Sequence, residues 1–292
     1  MNRIKGILYA AVSSSTFGLA PFFSMTLLLA GFSAFEVLSY RWGVASIVLI
    51  VFGWLSGCNF RLAGKDWGVV FLLSLLRAVT SFSLIIAYQN IASGVASTIH
   101  FMYPLAVALA MMFFFREKKS LLVILAVLMS LLGAALLSLG ELEAKSGNTM
   151  VGLVAACVSV FSYAGYIVGV RTTRAVQINS TALTCYVMGL GTIFYLIGAY
   201  CTSGLQLVSD GYTWLIILGL ALPATAISNI TLVQAIKYAG PTLTSILGAM
   251  EPLTAVVIGV FVFKELFTVN SAVGIILILL AVSIVVFRRQ KS

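Results

Sequence analysis

What this chain lacks most is charge. Only 9% of its 292 residues are Asp, Glu, Lys or Arg, against 61% hydrophobic. A soluble domain carries about a quarter charged residues, so this chain cannot cover a water-facing surface with polar groups, and its place is a lipid bilayer. It has one histidine and four cysteines, none in a CxxC pair. That leaves no metal-site spacing and no disulfide framework, and Cys58, Cys157, Cys185 and Cys201 read as small apolar fillers. The absence of a Walker sequence excludes ATP hydrolysis. With no HExxH, GxSxG or paired acidic motif, an embedded hydrolase has no visible machinery, and no cofactor is expected. A net charge of +9 would suggest nucleic acid for a soluble protein. In a bilayer it reads instead as Lys and Arg gathered in cytoplasmic loops, and no nucleic-acid partner is expected.

What is present is long apolar runs. A transmembrane helix needs about 20 apolar residues, and open strands cannot exist in lipid. Cutting at charges and turn residues gives ten helical spans: 5–29, 34–56, 67–88, 93–115, 121–140, 149–170, 180–202, 212–236, 241–263 and 269–288. The basic N-terminus followed by an apolar run imitates a secretory signal, but the run continues to Ala30, long enough to span. With the N-terminus in the cytoplasm, 13 basic residues fall inside and two, Lys145 and Lys264, fall outside. Both termini are therefore expected in the cytoplasm and the number of spans is expected to be even.

The chain also repeats itself. Aligning Pro104 with Pro252 brings Ser97 onto Ser245, Phe115 onto Phe263, Arg116 onto Lys264 and Glu117 onto Glu265 at one offset without a gap. A second match sets Gly6, Ala10, Val12 and Ser13 on Gly152, Ala156, Val158 and Ser159. Ten spans in two halves means five each, and an odd number turns the second half upside down relative to the first. The expected fold is an all-α membrane protein of two inverted five-helix units, 1–143 and 144–292. Inverted repeats are the usual architecture of secondary transporters, with the site between the halves at mid-membrane.

Charges inside spans are expensive and usually face a cavity or a partner. Arg77 falls at the middle of the third span and Glu251 at the middle of the ninth. His100 lies one turn before Pro104. Either Arg77 holds an anionic group and Glu251 a cationic group or a proton, with His100 tuning one of them, or Arg77 and Glu251 pair with each other and fix the packing. His100 on its own reads equally as a hydrogen-bonded packing residue. Tyr103 occupies the repeat position of Glu251 and is expected at the same cavity. Phe17, Tyr163, Tyr166, Ser81 and Asn229 complete a candidate aromatic and polar lining, although many aromatics simply pack or form interface belts. Arg41 is expected to snorkel or cap a loop, and Glu36 to be solvated near the outer interface. Pro104 and Pro252 are candidate hinges, since each bends its helix.

These residues resemble a known family. The stretch from Ala235 to Val282 resembles the second EamA repeat of the drug/metabolite transporter superfamily, and the stretch around Ala87 to Lys119 resembles the first. The shared signature is Ala87 and Ala235 before a polar turn, Pro104 and Pro252 in mid-helix, and Glu117 and Glu265 thirteen residues later. The resemblance implies a ten-helix inner-membrane carrier of small metabolites, often an exporter of amino acids, whose cavity is lined by spans one, three, four, six, eight and nine. Arg41 sits where many members carry an arginine. Arg77 and His100 lie outside the general pattern, which makes them candidates for specificity. The expectation is a small-molecule transporter working by alternating access and driven by a gradient of the substrate, a proton or Na+. Alternatives are a carrier of hydrophobic cations, drugs or other organic anions, and a membrane-embedded enzyme or scaffold.

Overall fold

The computed structural model describes residues 2–91, 93–117, 120–138, 147–202, 204–254, 257 and 268–288, and among them there is helix and no strand. In chain order the helices are α1 (Asn2–Phe17), α2 (Ala20–Leu29), α3 (Ala34–Leu55), α4 (Trp67–Asn90), α5 (Ser93–His100), α6 (Tyr103–Phe113), α7 (Leu121–Ser138), α8 (Thr149–Thr172), α9 (Ser180–Thr202), α10 (Gly211–Ala221), α11 (Ser228–Ala239), α12 (Pro241–Leu247) and α13 (Val269–Arg288). Several belong to one continuous passage. Seven passages are long and apolar enough to cross a membrane: Arg3–Leu29, Ala34–Leu55, Gly64–Asn90, Val95–Phe113, Thr149–Thr172, Ser180–Thr202 and Gly211–Ala239. Two further apolar helices, over Leu121–Gly133 and Ala272–Ile284, are shorter by that measure. These nine correspond to nine of the ten expected spans. The expected ninth span begins with α12, and most of its second half, with Lys264 and Glu265, lies outside the described residues, as do Lys145 and the boundary between the two units.

Prolines break the passages where their missing N–H and their ring clash with the preceding turn. The first passage opens at Gly18 and Leu19 before Pro21. The fourth opens at Phe101 and Met102 before Pro104, and the turn at Gly248 and Ala249 precedes Pro252. In the eighth passage Pro223 lies in a π-helical stretch, Leu222–Ile227, between α10 and α11. Gly240 joins α11 to α12 at φ +86°, where a side chain would be strained, and Pro241 opens the next helix with a preset φ.

The long helices pack side by side in antiparallel pairs. Along α4 and α8, Leu73 lies against Gly169, Thr80 bonds Ser162 at 3.0 Å and Ile91 lies against Gly152, so one chain ascends as the other descends. The first and eighth passages cross in the same sense, with Gly6 against Ala239 and the Ser13 hydroxyl donating to the Ser228 carbonyl at 2.8 Å. Phe35 against Gly198 and Trp42 against Gly191 set α3 antiparallel to α9. The glycines are what permit contact this close. A Cβ at Gly6 would stand 2.7 Å from the backbone nitrogen of Ala239.

Helix ends are closed by side chains. Ser33 and Glu36 form a capping box at the start of α3, and the second Glu36 oxygen accepts the Gln206 N–H at 2.6 Å. Glu36 is therefore buried, not solvated as the sequence suggests: its carboxylate is filled by backbone donors. Asp210 caps α10 through the Thr213 N–H at 2.7 Å, and the bonds from Thr213 hold its carboxyl below the ordinary aspartate range.

Candidate functional site

The broken helices put their kinks in one place. Phe17, His100 and Gly248 each stand four residues before a proline, Pro21, Pro104 and Pro252 in turn. That is the position whose carbonyl the proline leaves without its helical partner. Gly18 is so close to the ninth passage that a Cβ there would lie 2.7 Å from the Glu251 carbonyl oxygen. A Cβ at Gly248 would meet the Tyr103 hydroxyl at 1.8 Å. The kinks of the first, fourth and ninth passages thus converge, and two arginines stand beside them.

Arg77, on α4, is 1% exposed. Its Nε donates to Asn229 Oδ1 at 3.1 Å and one Nη to the Ser81 hydroxyl at 3.4 Å. The guanidinium lies over the rings of Tyr163, Phe17 and Tyr166, at 4.9, 5.3 and 5.9 Å from their centroids. Such contacts stabilise a cation without neutralising it. Arg41, on α3, is 5% exposed and lies 5.5 Å from the same Phe17 centroid. Its Nε donates to the Thr225 hydroxyl at 2.6 Å, and one Nη reaches the Ala224 carbonyl at 3.5 Å. The π-helical stretch explains the second anchor: Thr225 turns its own hydroxyl back to the Leu220 carbonyl at 2.7 Å, five residues earlier. Such π-turns often mark functional positions. Thr225 and Asn229 are one turn apart, and the Asn229 amide donates to the Thr225 carbonyl at 2.7 Å, so one helix holds both arginines.

Among the described residues the ion pair is Arg174 with Asp66, in the connections before α4 and after α8 and outside this cluster. Neither Arg41 nor Arg77 has a carboxylate of a described residue at that range. Glu251 is partly buried and forms no ion pair with Arg77, so of the two sequence readings the packing pair is not the arrangement seen.

An aromatic wall closes the other side. His100 sits 5.4 Å from Tyr163 and 5.5 Å from Tyr103, and the two tyrosines are 4.6 Å apart. His100 Nδ1 bonds the Ser159 hydroxyl at 2.9 Å, and that hydroxyl donates its proton to the Ala156 carbonyl at 2.6 Å. With the hydroxyl proton on that carbonyl, Nδ1 is the donor in the first bond, and in the neutral imidazole Nε2 is then an acceptor. His100 Nε2 and the Tyr166 hydroxyl are buried with no hydrogen-bond partner among the described residues, an arrangement that calls for explanation.

Between the first, second and third passages lies a small cavity bounded by Phe17, Pro21, Ser24, Arg41, Arg77 and Ser81 among others. Its volume is about 20 Å³, room for about one water molecule. It is a contracted site, and any larger occupant requires the kinked helices to part.

The sequence-derived candidates therefore gather. Arg77, Ser81, Asn229, Phe17, Tyr163, Tyr166, Tyr103 and His100 form one contiguous cluster, and Glu251 lies beside it through Gly18 and Gly248. Arg41 is the correction: it neither snorkels nor caps a loop but points to the centre, because Thr225 and Ala224 offer acceptors there. Thr225 falls within the eighth expected span and Ser159, the repeat partner of Ser13, within the sixth, and the sequence assigns neither a role. The only sign of one was that each is a hydroxyl inside an apolar run.

The family model described as the EamA-like transporter family matches residues 4–139 and 150–287. An uncharacterized transporter from Archaeoglobus fulgidus is 28% identical over 238 residues, covering 80% of this chain and 83% of its own length. A solved crystal structure, described simply as that of a protein, aligns with a TM-score of 0.79 at 17% identity, over 97% of this chain and 96% of the other. That likeness speaks to the fold alone.

Proposed function

This chain belongs to the EamA-like transporter family, and from that premise we propose that it is a secondary carrier, exporting small carboxylate-bearing metabolites such as amino acids by alternating access. In this reading ten spans form two inverted units, 1–143 and 144–292, in the inner membrane with both termini in the cytoplasm. The pairing of helices supports the inversion. The first passage crosses the eighth as the third crosses the sixth, which is what exchanging the two halves requires. The repeat offsets carry the Gly6–Ala239 contact onto Gly152–Ile91, and both are close contacts. Related helices that cross antiparallel, as α3 and α9 do, also fit units of opposite orientation.

The observation that carries the substrate reading is Arg77, a buried cation held by neutral partners. A buried charge without a counter-ion is costly, and an incoming carboxylate supplies one with charge-assisted bonds. His100 Nε2 and the Tyr166 hydroxyl await a donor and an acceptor, Tyr103 and Phe17 flank the apolar body, and Glu251 takes an ammonium group or a coupled proton. Pro104 and Pro252 are the hinges at which the contracted cavity opens. The alternative, a carrier of hydrophobic cations anchored on Glu251, brings a cation with no acidic group of its own beside two arginines that have no ion pair, and is disfavoured for that reason.

The test is transport by purified protein in liposomes loaded with an amino acid and organic acid panel. Arg77→Met is expected to lose at least about 2 kcal/mol of binding, some thirtyfold in apparent affinity, for every carboxylate carried. Unchanged efflux of all of them removes the role assigned to Arg77.

A further inference from the structure

The cavity bounded by Phe17, Arg41 and Arg77 contains two arginines and no acid among its described lining residues; Glu251 is not one of them. We infer that this cavity binds a small dianion whose two negative charges are shared between Arg41 and Arg77. The inference rests on the carboxylate-carrier reading and narrows it: a second acidic group, and not only a single carboxylate, defines the substrate.

Three observations lead there. Both guanidiniums are buried and stand over one Phe17 ring, so their like charges act on each other through protein, where the effective dielectric is far below that of water. Glu251 is near enough to act on both guanidiniums but forms no ion pair with either, so one carboxylate would bond one arginine and leave the other buried without an acid in contact, at a cost a second acidic group removes. The anchoring is also alike on the two residues. Each Nε is fixed on α11 or the π-helical stretch before it, at Asn229 and Thr225, and each guanidinium spends one Nη on a second neutral partner. A guanidinium has five N–H donors, so each keeps three for a ligand, in the planar geometry that suits a carboxylate or phosphate edge. Ser24 and Ser81 add hydroxyls at the same lining. Arg41 is thereby a specificity residue, where the sequence had suggested a loop cap.

Two sources share this chemistry, a dicarboxylate and a phosphate monoester, and the probes separate them. Purified full-length protein is titrated calorimetrically with succinate, glycerol 3-phosphate, lactate and alanine. The expected result is at least tenfold tighter binding of succinate or glycerol 3-phosphate than of lactate, with the tighter of the two naming the source. Arg41→Met is expected to cost that dianion at least tenfold more than it costs lactate. Arg41→Lys keeps the charge without the planar donors and is expected to keep the order of preference at reduced affinity; it decides the matter if Arg41→Met fails to fold. Equal losses for lactate and the dianions in Arg41→Met mean a purely structural arginine and overturn the inference. So does a wild-type preference for lactate or alanine, which leaves the carboxylate reading standing provided Arg77→Met abolishes that binding. Binding of none of the four probes overturns both readings.

Discussion

Asn229 gives Arg77 an oxygen but no charge, and that neutrality is a choice the site could have made otherwise. Asn229→Asp would place a permanent counter-ion where the substrate's acid is proposed to act. It would also lose the amide bond to the Thr225 carbonyl, so the two changes offset in stability. The expectation is a folded protein whose transport of carboxylates falls at least about tenfold, measured as initial efflux from liposomes. A second residue pair reports on the kink. The Tyr103 hydroxyl rests on Gly248 with no space for a methyl group. Gly248→Ala is therefore expected to destabilise by about 1–3 kcal/mol through overpacking. Adding Tyr103→Phe should restore part of that loss, and a double-mutant cycle on thermal unfolding in detergent measures the coupling. A coupling of zero would mean that the hydroxyl does not press on this turn.

At the scale of elements, the crossings of the first with the eighth passage and of the third with the sixth depend on glycine. The two sites differ in what they meet. A Cβ at Gly6 runs into backbone, the Ala239 nitrogen at 2.7 Å, whereas one at Gly152 meets the Ile91 side chain at 2.6 Å. A side chain can turn aside and a backbone cannot without moving its helix. Both Gly6→Ala and Gly152→Ala should lower the unfolding temperature, by an overpacking cost of about 1–3 kcal/mol, with Gly6→Ala the larger. The reverse order would mean that the eighth passage yields more readily than a single isoleucine. The four in-helix prolines act at this scale too. Three open a turn and Pro223 lies in a π-helical stretch, and the arginine anchors Thr225 and Ala224 come from that stretch.

For the whole molecule, the proposed inversion makes a prediction about sidedness. The turn between the first two passages and the turn between the sixth and seventh are repeat partners, and inversion sets them on opposite faces of the membrane. In a variant without native cysteines, Ala30→Cys should react with an impermeant maleimide in intact cells and Gln177→Cys should not. Both positions are exposed, so access to the residue itself does not limit either reaction. Labelling of both, or of neither, would mean units of the same orientation and would remove the basis for alternating access about a mid-membrane site. The ends of the bundle are also tied between the halves, by Arg174 to Asp66 at 2.9 Å and Thr242 to Glu117 at 2.6 Å at one end and by Gln206 to Glu36 at the other. The contracted cavity is enclosed between them.

Shortage of charge, apolar runs of spanning length and an internal repeat were enough for the sequence by itself to determine a helical membrane protein of two related halves, and to pick out Arg77, His100 and Glu251, because a polar group in lipid is conspicuous wherever it stands; the EamA kind came from the resemblance of the two stretches around Pro104 and Pro252. Burial and partners were not legible there. Glu36 reads as a solvated charge until Gln206, 170 residues away, supplies its donor. Arg41 reads as a loop cap until Thr225 and Ala224 turn it inward. The tertiary structure decided which charges have counter-ions and which do not, because pairing depends on distances between helices remote in the chain, and no local pattern of residues encodes those.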